Sequence, residues 1–243
     1  MLTTASGRTR WRFADHVRAC LVDDRVILLD LNRNKYLAVG SPRLRGLAQV
    51  IDGWPAADPP TEPAIAPAEA DTLIAPLRTQ GLLTREPASA AMSTPLAEPV
   101  RSLDAEDLAH GPVTGWRRPV RLLRSAVVTA LWLRSRSLAD IAARVTARQV
   151  RTAGRYAHPG PRAIEDAVAV YGKCRPFLLT ADDRCLHDSL TLVHFLAGEG
   201  LSATWIVGVR TRPFGAHAWV QSGAVVLNDQ HEHVRRYRPI LVV

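Results

Sequence analysis

Residues 182–230 read DDRCLHDSLTLVHFLAGEGLSATWIVGVRTRPFGAHAWVQSGAVVLNDQ, and the fold turns on how this stretch is parsed. Leu186, Leu190, Val193 and Ala197 recur at helical spacing and give a core face. Asp182 or Asp183 can cap the helix start, since a short carboxylate accepts a bond from an orphan backbone N–H. Gly198 and Gly200 mark the exit. Cys185 then falls in the first turn, where the partial positive charge of a helix N-terminus favours thiolate, the nucleophilic form. Residues 203–209, 216–221 and 224–228 are strand patterns, the last two joined through Ser222-Gly223 as a hairpin. His217, Trp219 and Gln221 share one strand face.

The hairpin register decides which residue faces His217. A two-residue loop places Asn228 opposite it, and a loop one residue longer places Asp229 there. Either side chain can accept an imidazole N–H and fix the tautomer. A lone cysteine on a helix is ordinarily a small buried hydrophobe, and a lone strand histidine is ordinarily structural. Their joint occurrence at a helix start and on a hairpin is what points to a thiol nucleophile with a base.

Working outward, residues 120–134, 137–148 and 161–173 read as helices, the second capped by Ser137. Helices first and strands afterward predict an α+β domain over 118–243. Residues 87–117, rich in Ala, Pro and Ser, read as a linker, with a helical turn at 102–110. Residues 1–86 form a separate module. Strands at 16–23, 25–31 and 35–39 are divided by Asp23-Asp24 and by residues 32–34. A helix over 41–51 follows, with Ser41 as its cap and Pro42 at its first position. A loop over 54–67 leads to a second helix at 67–80, ended by Gly81. This order predicts a winged-helix-like domain with a three-stranded antiparallel sheet.

The chain's 243 residues are enough for two modest cores, and 47% hydrophobic with 22% charged residues is globular composition. The net charge of +8 is uneven. Residues 1–86 carry 11 basic and 10 acidic groups, and 87–243 carry 20 and 13. A module with a net charge of +1 argues against the DNA binding that a winged helix suggests, because phosphate contacts need clustered Lys and Arg. Cys20, Cys174 and Cys185 make neither a disulfide framework nor a zinc pattern, which fits a reducing cytoplasm. The N-terminus carries no signal-peptide pattern, and the best apolar stretch, 120–133, is broken by Arg121 and Arg124, so no membrane span is expected. A metal set of Cys185, His187 and His194 matches no usual spacing, so no metal is expected. No GxxxxGK[ST] loop occurs and no cofactor is expected. His187, Thr191 and His194 read as a polar helix face, and His231, Glu232 and His233 as loop; Asp188, one turn after Cys185, reads as surface, with tuning of the site as the alternative.

RCLHDSL (184–190), GVRTRPFGAHAWV (208–220) and VLND (226–229) resemble the B proteins of lasso-peptide biosynthesis. These are transglutaminase-like, papain-like cysteine peptidases that remove the leader of a ribosomally made precursor. The resemblance implies Cys185 as nucleophile, His217 as general base and acid, and Asp229, over Asn228, as the orienting acid, hence also the longer hairpin loop. Many thiol peptidases add an upstream glutamine as oxyanion donor. Residues 178–184 contain none, so beyond the Cys185 N–H the second donor is open. LLDLNRNKYLAV (28–39) is similar to the leader-recognition domain related to the pyrroloquinoline quinone peptide chaperone. That similarity implies a leader added as a strand beside Lys35, Tyr36, Leu37, Ala38 and Val39. The resemblance to the lasso-peptide B proteins also implies two partners, the precursor peptide and an asparagine-synthetase-like macrolactam cyclase. Two other readings stay open. One is a catalytically inactive peptide-binding chaperone presenting the precursor to that cyclase; the other is acyl transfer to an amine instead of water.

Overall fold

The computed structural model describes residues 10–55, 65–87, 96–103, 115–153, 162–178 and 185–243. The architecture is α+β, in two compact units, Met1–Met92 and Ser93–Val243.

In the first unit, β1 (Trp11–Phe13) is followed by the meander β2 (Val17–Val22), β3 (Arg25–Asp30) and β4 (Lys35–Val39). The meander forms an antiparallel sheet in the order β2-β3-β4. Both turns need one left-handed residue, and Asp23 (φ 53°) and Asn34 (φ 51°) supply it, as residue types that tolerate this region. The second turn is tied by Asp30, whose Oδ1 accepts the N–H of Asn32 at 2.9 Å and of Arg33 at 3.1 Å. Central β3 is buried along Val26–Leu29, which is why it reads as an unbroken apolar run. Two helices follow, α1 (Ser41–Val50) and α2 (Pro67–Thr79). The cap of α1 is Gly40, with no side-chain bond, so Ser41 lies inside the helix and is not its cap. Gly81 (φ +73°) follows the end of α2. Leu28, Val39, Leu47, Ile74 and Leu77 close the core between sheet and helices. The strand patterns missed a second small sheet. In it β5 (Ile51–Asp52) runs parallel and β6 (Leu83–Thr84) antiparallel to β1. Two- and three-residue strands carry no periodicity to read.

The second unit opens on β7 (Arg101–Ser102), inside the stretch expected to be a linker. It pairs in parallel with β10 (Val225–Val226), and flanking Val100 and Leu103 donate their N–H groups to Ala224 and Val226 at 2.9 and 3.0 Å. Composition alone cannot show that an extended segment will satisfy a sheet edge. The helical turn expected at 102–110 lies mostly outside the described residues. Three helices then line up, α3 (Arg117–Ser135), α4 (Leu138–Ala153) and α5 (Ala163–Leu178). Ser137 caps α4 as expected, accepting the Asp140 N–H at 3.1 Å. Next come α6 (Cys185–Gly198), β8 (Thr204–Thr211), β9 (Phe214–Ser222), the short α7 (His231–Val234) and β11 (Arg238–Val242). The sheet order is β11-β8-β9-β10-β7.

Helix α6 is the middle of this unit. It packs on α3, α4 and α5 and on β8 and β9. Every residue from Asp188 to Leu196 is buried, which corrects the expected division into a core stripe and a polar face. A helix covered by helices on one side and a sheet on the other has no solvent face. Its polar residues are accommodated individually. Trp205 Nε1 donates to Ser189 Oγ at 3.0 Å, tying α6 to β8. His194 Nδ1 lies 2.9 Å from Thr129 Oγ1, and its ring meets Trp132 edge-on at 4.4 Å.

Burial holds the His194 pKa down, from 6.5 to about 4, with Arg148 adding to the effect. Above pH 6.5 the folded and unfolded chains both carry it neutral. Between pH 6.5 and 4 the unfolded chain binds a proton that the fold refuses, so stability falls as pH falls through this window. The full loss is roughly 3 kcal/mol. His194→Gln should flatten that acid limb of a denaturation series against pH. An unchanged limb would show that His194 does not set it.

Candidate functional site

Cys185 opens α6, half-buried. The capping residues expected before it, Asp182 and Asp183, lie outside the described residues. Opposite the helix start, β9 presents His217, paired across the ladder with Gly208 of β8. A Cβ on Gly208 would stand 2.8 Å from the Trp219 ring and 2.9 Å from Tyr237 Cβ. Glycine is therefore what lets both aromatics close on this side of the sheet. Trp219 stacks at 6.2 Å from His217, and Tyr237 lies at 5.2 Å. The histidine is clamped between apolar rings.

The register differs from both expected loops. Ser222 pairs with Val225 and Gln221 with Val226, so the loop is Gly223-Ala224, with Gly223 at φ +56°. Leu227 makes the last ladder bond, donating its N–H to Val220 at 2.9 Å, and the chain then leaves the ladder. Asn228 Oδ1 takes the place of a backbone acceptor and receives the Val220 N–H at 2.8 Å. That departure turns Asp229 back toward β9, and its Oδ2 lies 2.5 Å from His217 Nε2. Asp229, not Asn228, therefore bonds His217.

The electrostatics of the three groups are coupled. Burial by itself raises the Cys185 thiol, but the hydrogen bond to His217 and the N–H groups of Ala218 and Leu186 outweigh it, and the pKa is lowered. With Nε2 on Asp229, the ring's Nδ1 is the nitrogen left for the thiol. Burial likewise opposes charge on His217. The bonds to Asp229 and Cys185 overcome it and lift the pKa to about 9. Asp229 is lowered against its own burial by His217, the Gln230 N–H and His233. A lowered thiol beside a raised imidazole and a lowered carboxyl favours the thiolate–imidazolium–carboxylate arrangement over its neutral form. Such a set can attack a carbonyl and return a proton to a leaving group.

Four more groups stand near this line, of which Tyr171 and Arg175 were not singled out from sequence. Asp188, expected at the surface, is 5% exposed. Its Oδ1 accepts the Tyr171 hydroxyl and Arg175 Nε, the latter at 3.2 Å, and its Oδ2 accepts Asn228 Nδ2 at 3.3 Å. Tyr171 is raised well above its ordinary pKa, mainly by burial and then by the Asp188 charge, so it remains a donor. Tyr171 and Arg175 sit one helical turn apart on α5, and nothing in their spacing announces a carboxylate on α6. His233, expected in a loop, lies in α7 with Nδ1 3.1 and 3.2 Å from the two Asp229 oxygens. Its i,i+4 spacing from Asp229 was the available signal.

Among the described residues, the group able to converge on a metal ion is His217, Asp229 and His233, with ligand atoms within 4.8 Å of one another. Hydrogen bonds already join the carboxylate to both rings. Cys185, His187 and His194 do not form such a group among the described residues. In the first unit, β4 pairs with β3 alone among the described strands. Beside it is a groove of about 400 Å³ lined by Leu37, Val39, Arg43, Leu47, Leu73 and Leu77 among others.

Residues 123–242 match the family model of the transglutaminase-like superfamily. A local stretch is similar to the microcin J25-processing protein McjB of Escherichia coli, 42% identical over 45 residues. That match spans 18% of this chain and 22% of the relative. No solved structure matches the chain. Among the described residues no helix is long and apolar enough to cross a membrane.

Proposed function

Residues 123–242 forming a transglutaminase-like domain, we propose that the chain is a cysteine peptidase of lasso-peptide biosynthesis, which binds a precursor's leader and cuts it from the core. The observation that carries this is the line Cys185, His217, Asp229, with a lowered thiol and a raised imidazole. The likeness to a protein described as processing microcin J25 supports the substrate class.

His217 holds the proton of Cys185, and the thiolate attacks the carbonyl at the leader–core bond. The N–H of Cys185 at the helix start is placed to donate to the developing oxyanion. The charge then collapses, His217 Nδ1 protonates the departing amine, and a thioester remains. A water that gives its proton to His217 attacks the thioester, releasing the acid and the thiol. Asp229 keeps the ring oriented through both halves. Hydrolysis is favoured over transfer only by the processing role; the same triad would pass the acyl group to an amine.

The first unit supplies binding on residues that take no part in the chemistry. The leader adds as a strand along Lys35–Val39, its backbone pairing with the edge of β4 and its apolar side chains entering the groove by Leu37 and Leu73. Carrying both units on one chain raises the local concentration of the scissile bond. The freed N-terminal amine of the core is what an asparagine-synthetase-like cyclase would take next. The reaction uses free thiol chemistry, consistent with a reducing cytoplasm.

The test is mass spectrometry of a candidate precursor peptide after incubation with this protein. One cut at the leader–core boundary is the expected result. No cut in the presence of the cyclase partner, with leader still bound by calorimetry, would overturn the peptidase and leave a peptide-presenting chaperone.

A further inference from the structure

Asp229 is held by more than the triad requires. Its Oδ2 faces His217 Nε2 at 2.5 Å, its Oδ1 accepts the Gln230 N–H at 2.7 Å, and His233 Nδ1 lies 3.1 Å from Oδ1 and 3.2 Å from Oδ2. A carboxylate can only accept, so His233 carries its proton on Nδ1 and donates. The His233 ring is packed in turn. It meets Tyr237 edge-on at 5.5 Å and His217 at 4.8 Å, and the Arg210 guanidinium lies over Tyr237 at 5.2 Å. Its place follows from the one-turn helix α7, which brings residue 233 back over residue 229.

We propose that His233 is a positioning residue of this site, a second histidine that fixes the Asp229 carboxylate while His217 changes charge. The proposal rests on the peptidase reading for its consequence. When His217 delivers its proton to the leaving amine, the ion pair that aligned Asp229 disappears. A carboxylate on a chain that has left the sheet ladder would then be free to rotate toward water. His233 and the Gln230 N–H keep their bonds to Asp229 in that step, so the acceptor stays in place for the return of the proton. The charged and titratable groups facing His233 are Asp229, His217 and Tyr237, with Arg210 behind Tyr237. Glu232, its chain neighbour, is paired with His231 at 3.1 Å.

The experiment reads the triad without any peptide. The rate of iodoacetamide alkylation at Cys185, followed by mass spectrometry of that site, is measured against pH in the wild type, His233→Ala and His233→Gln. The glutamine amide can donate to Asp229; alanine cannot. Loosening of Asp229 in His233→Ala should raise the pH at which Cys185 becomes reactive, and His233→Gln should return it toward the wild-type profile. With precursor, kcat should fall about 10-fold in His233→Ala at unchanged KM, the worth of one net hydrogen bond. Superimposable alkylation profiles for wild type and His233→Ala would overturn the proposal. So would a His233→Gln profile no closer to wild type than that of alanine, since packing alone would then account for His233. Altered alkylation with no peptide cleavage by any form would uphold the positioning role and discard the peptidase.

Discussion

Cys185→Ala is expected to abolish leader removal, lowering the single-turnover rate at least about 10³-fold, while leader affinity measured by calorimetry stays unchanged. The asymmetry is physical. The thiolate is the attacking atom, and Cys185 is the cysteine hydrogen-bonded to His217 among the described residues. Leader binding is assigned to the edge of β4 and its groove, which share no residue with α6. The pH profile of the wild type carries a second check. The Cys185 pKa is lowered, so activity should set in at a lower pH than an ordinary thiol would allow. His217 is raised to about 9, so activity should fall as pH rises through that value and the general acid is lost. A Cys185→Ala protein that still cuts, or a wild-type rate that keeps climbing beyond pH 10, would remove the thiolate–imidazolium pair from the mechanism.

Asp188→Ala is expected to cost about 3 kcal/mol, lowering the melting temperature on the order of 10 °C. The carboxylate is 5% exposed and serves three donors on two other elements, the Tyr171 hydroxyl, Arg175 and Asn228. Removing it strands a buried hydroxyl and leaves Arg175 without its acceptor, although half that side chain is exposed and water recovers part of the loss. Asp188→Asn keeps an oxygen for Tyr171 and should cost less. The effect should also reach the chemistry. Asn228 bridges the Val220 N–H and Asp188, and the next residue is Asp229. Freed at one end, Asn228 would let Asp229 drift from His217, so Asp188→Asn should lower kcat more than it lowers stability. Calorimetric melting and single-turnover kinetics on the two variants separate these effects. Equal melting temperatures for wild type and Asp188→Ala would refute the network as a stabilising element.

The α+β class follows from periods of 3.6 and 2 that appear in the right order. The three-stranded sheet follows from apolar runs cut by Asp23 and by residues 32–34, because only certain residues tolerate left-handed turns. Cys185 at a helix start and His217 on a strand were legible for the same local reason. Tertiary structure alone decided the rest. Which acid meets His217 depended on a Gly223-Ala224 loop and on Asn228 replacing a ladder acceptor, and the two-residue shift from a Ser222-Gly223 hairpin leaves period-2 patterning unchanged. The polar residues of α6 read as a solvent face because amphipathic logic assumes one side of a helix meets water; here helices and sheet cover both sides. Tyr171, Arg175 and Asp188 come from helices brought together only by packing, and no local spacing encodes a bond across that gap. Local chemistry names the reactive atoms, and the packing of α6 between helices and sheet sets what holds them in line.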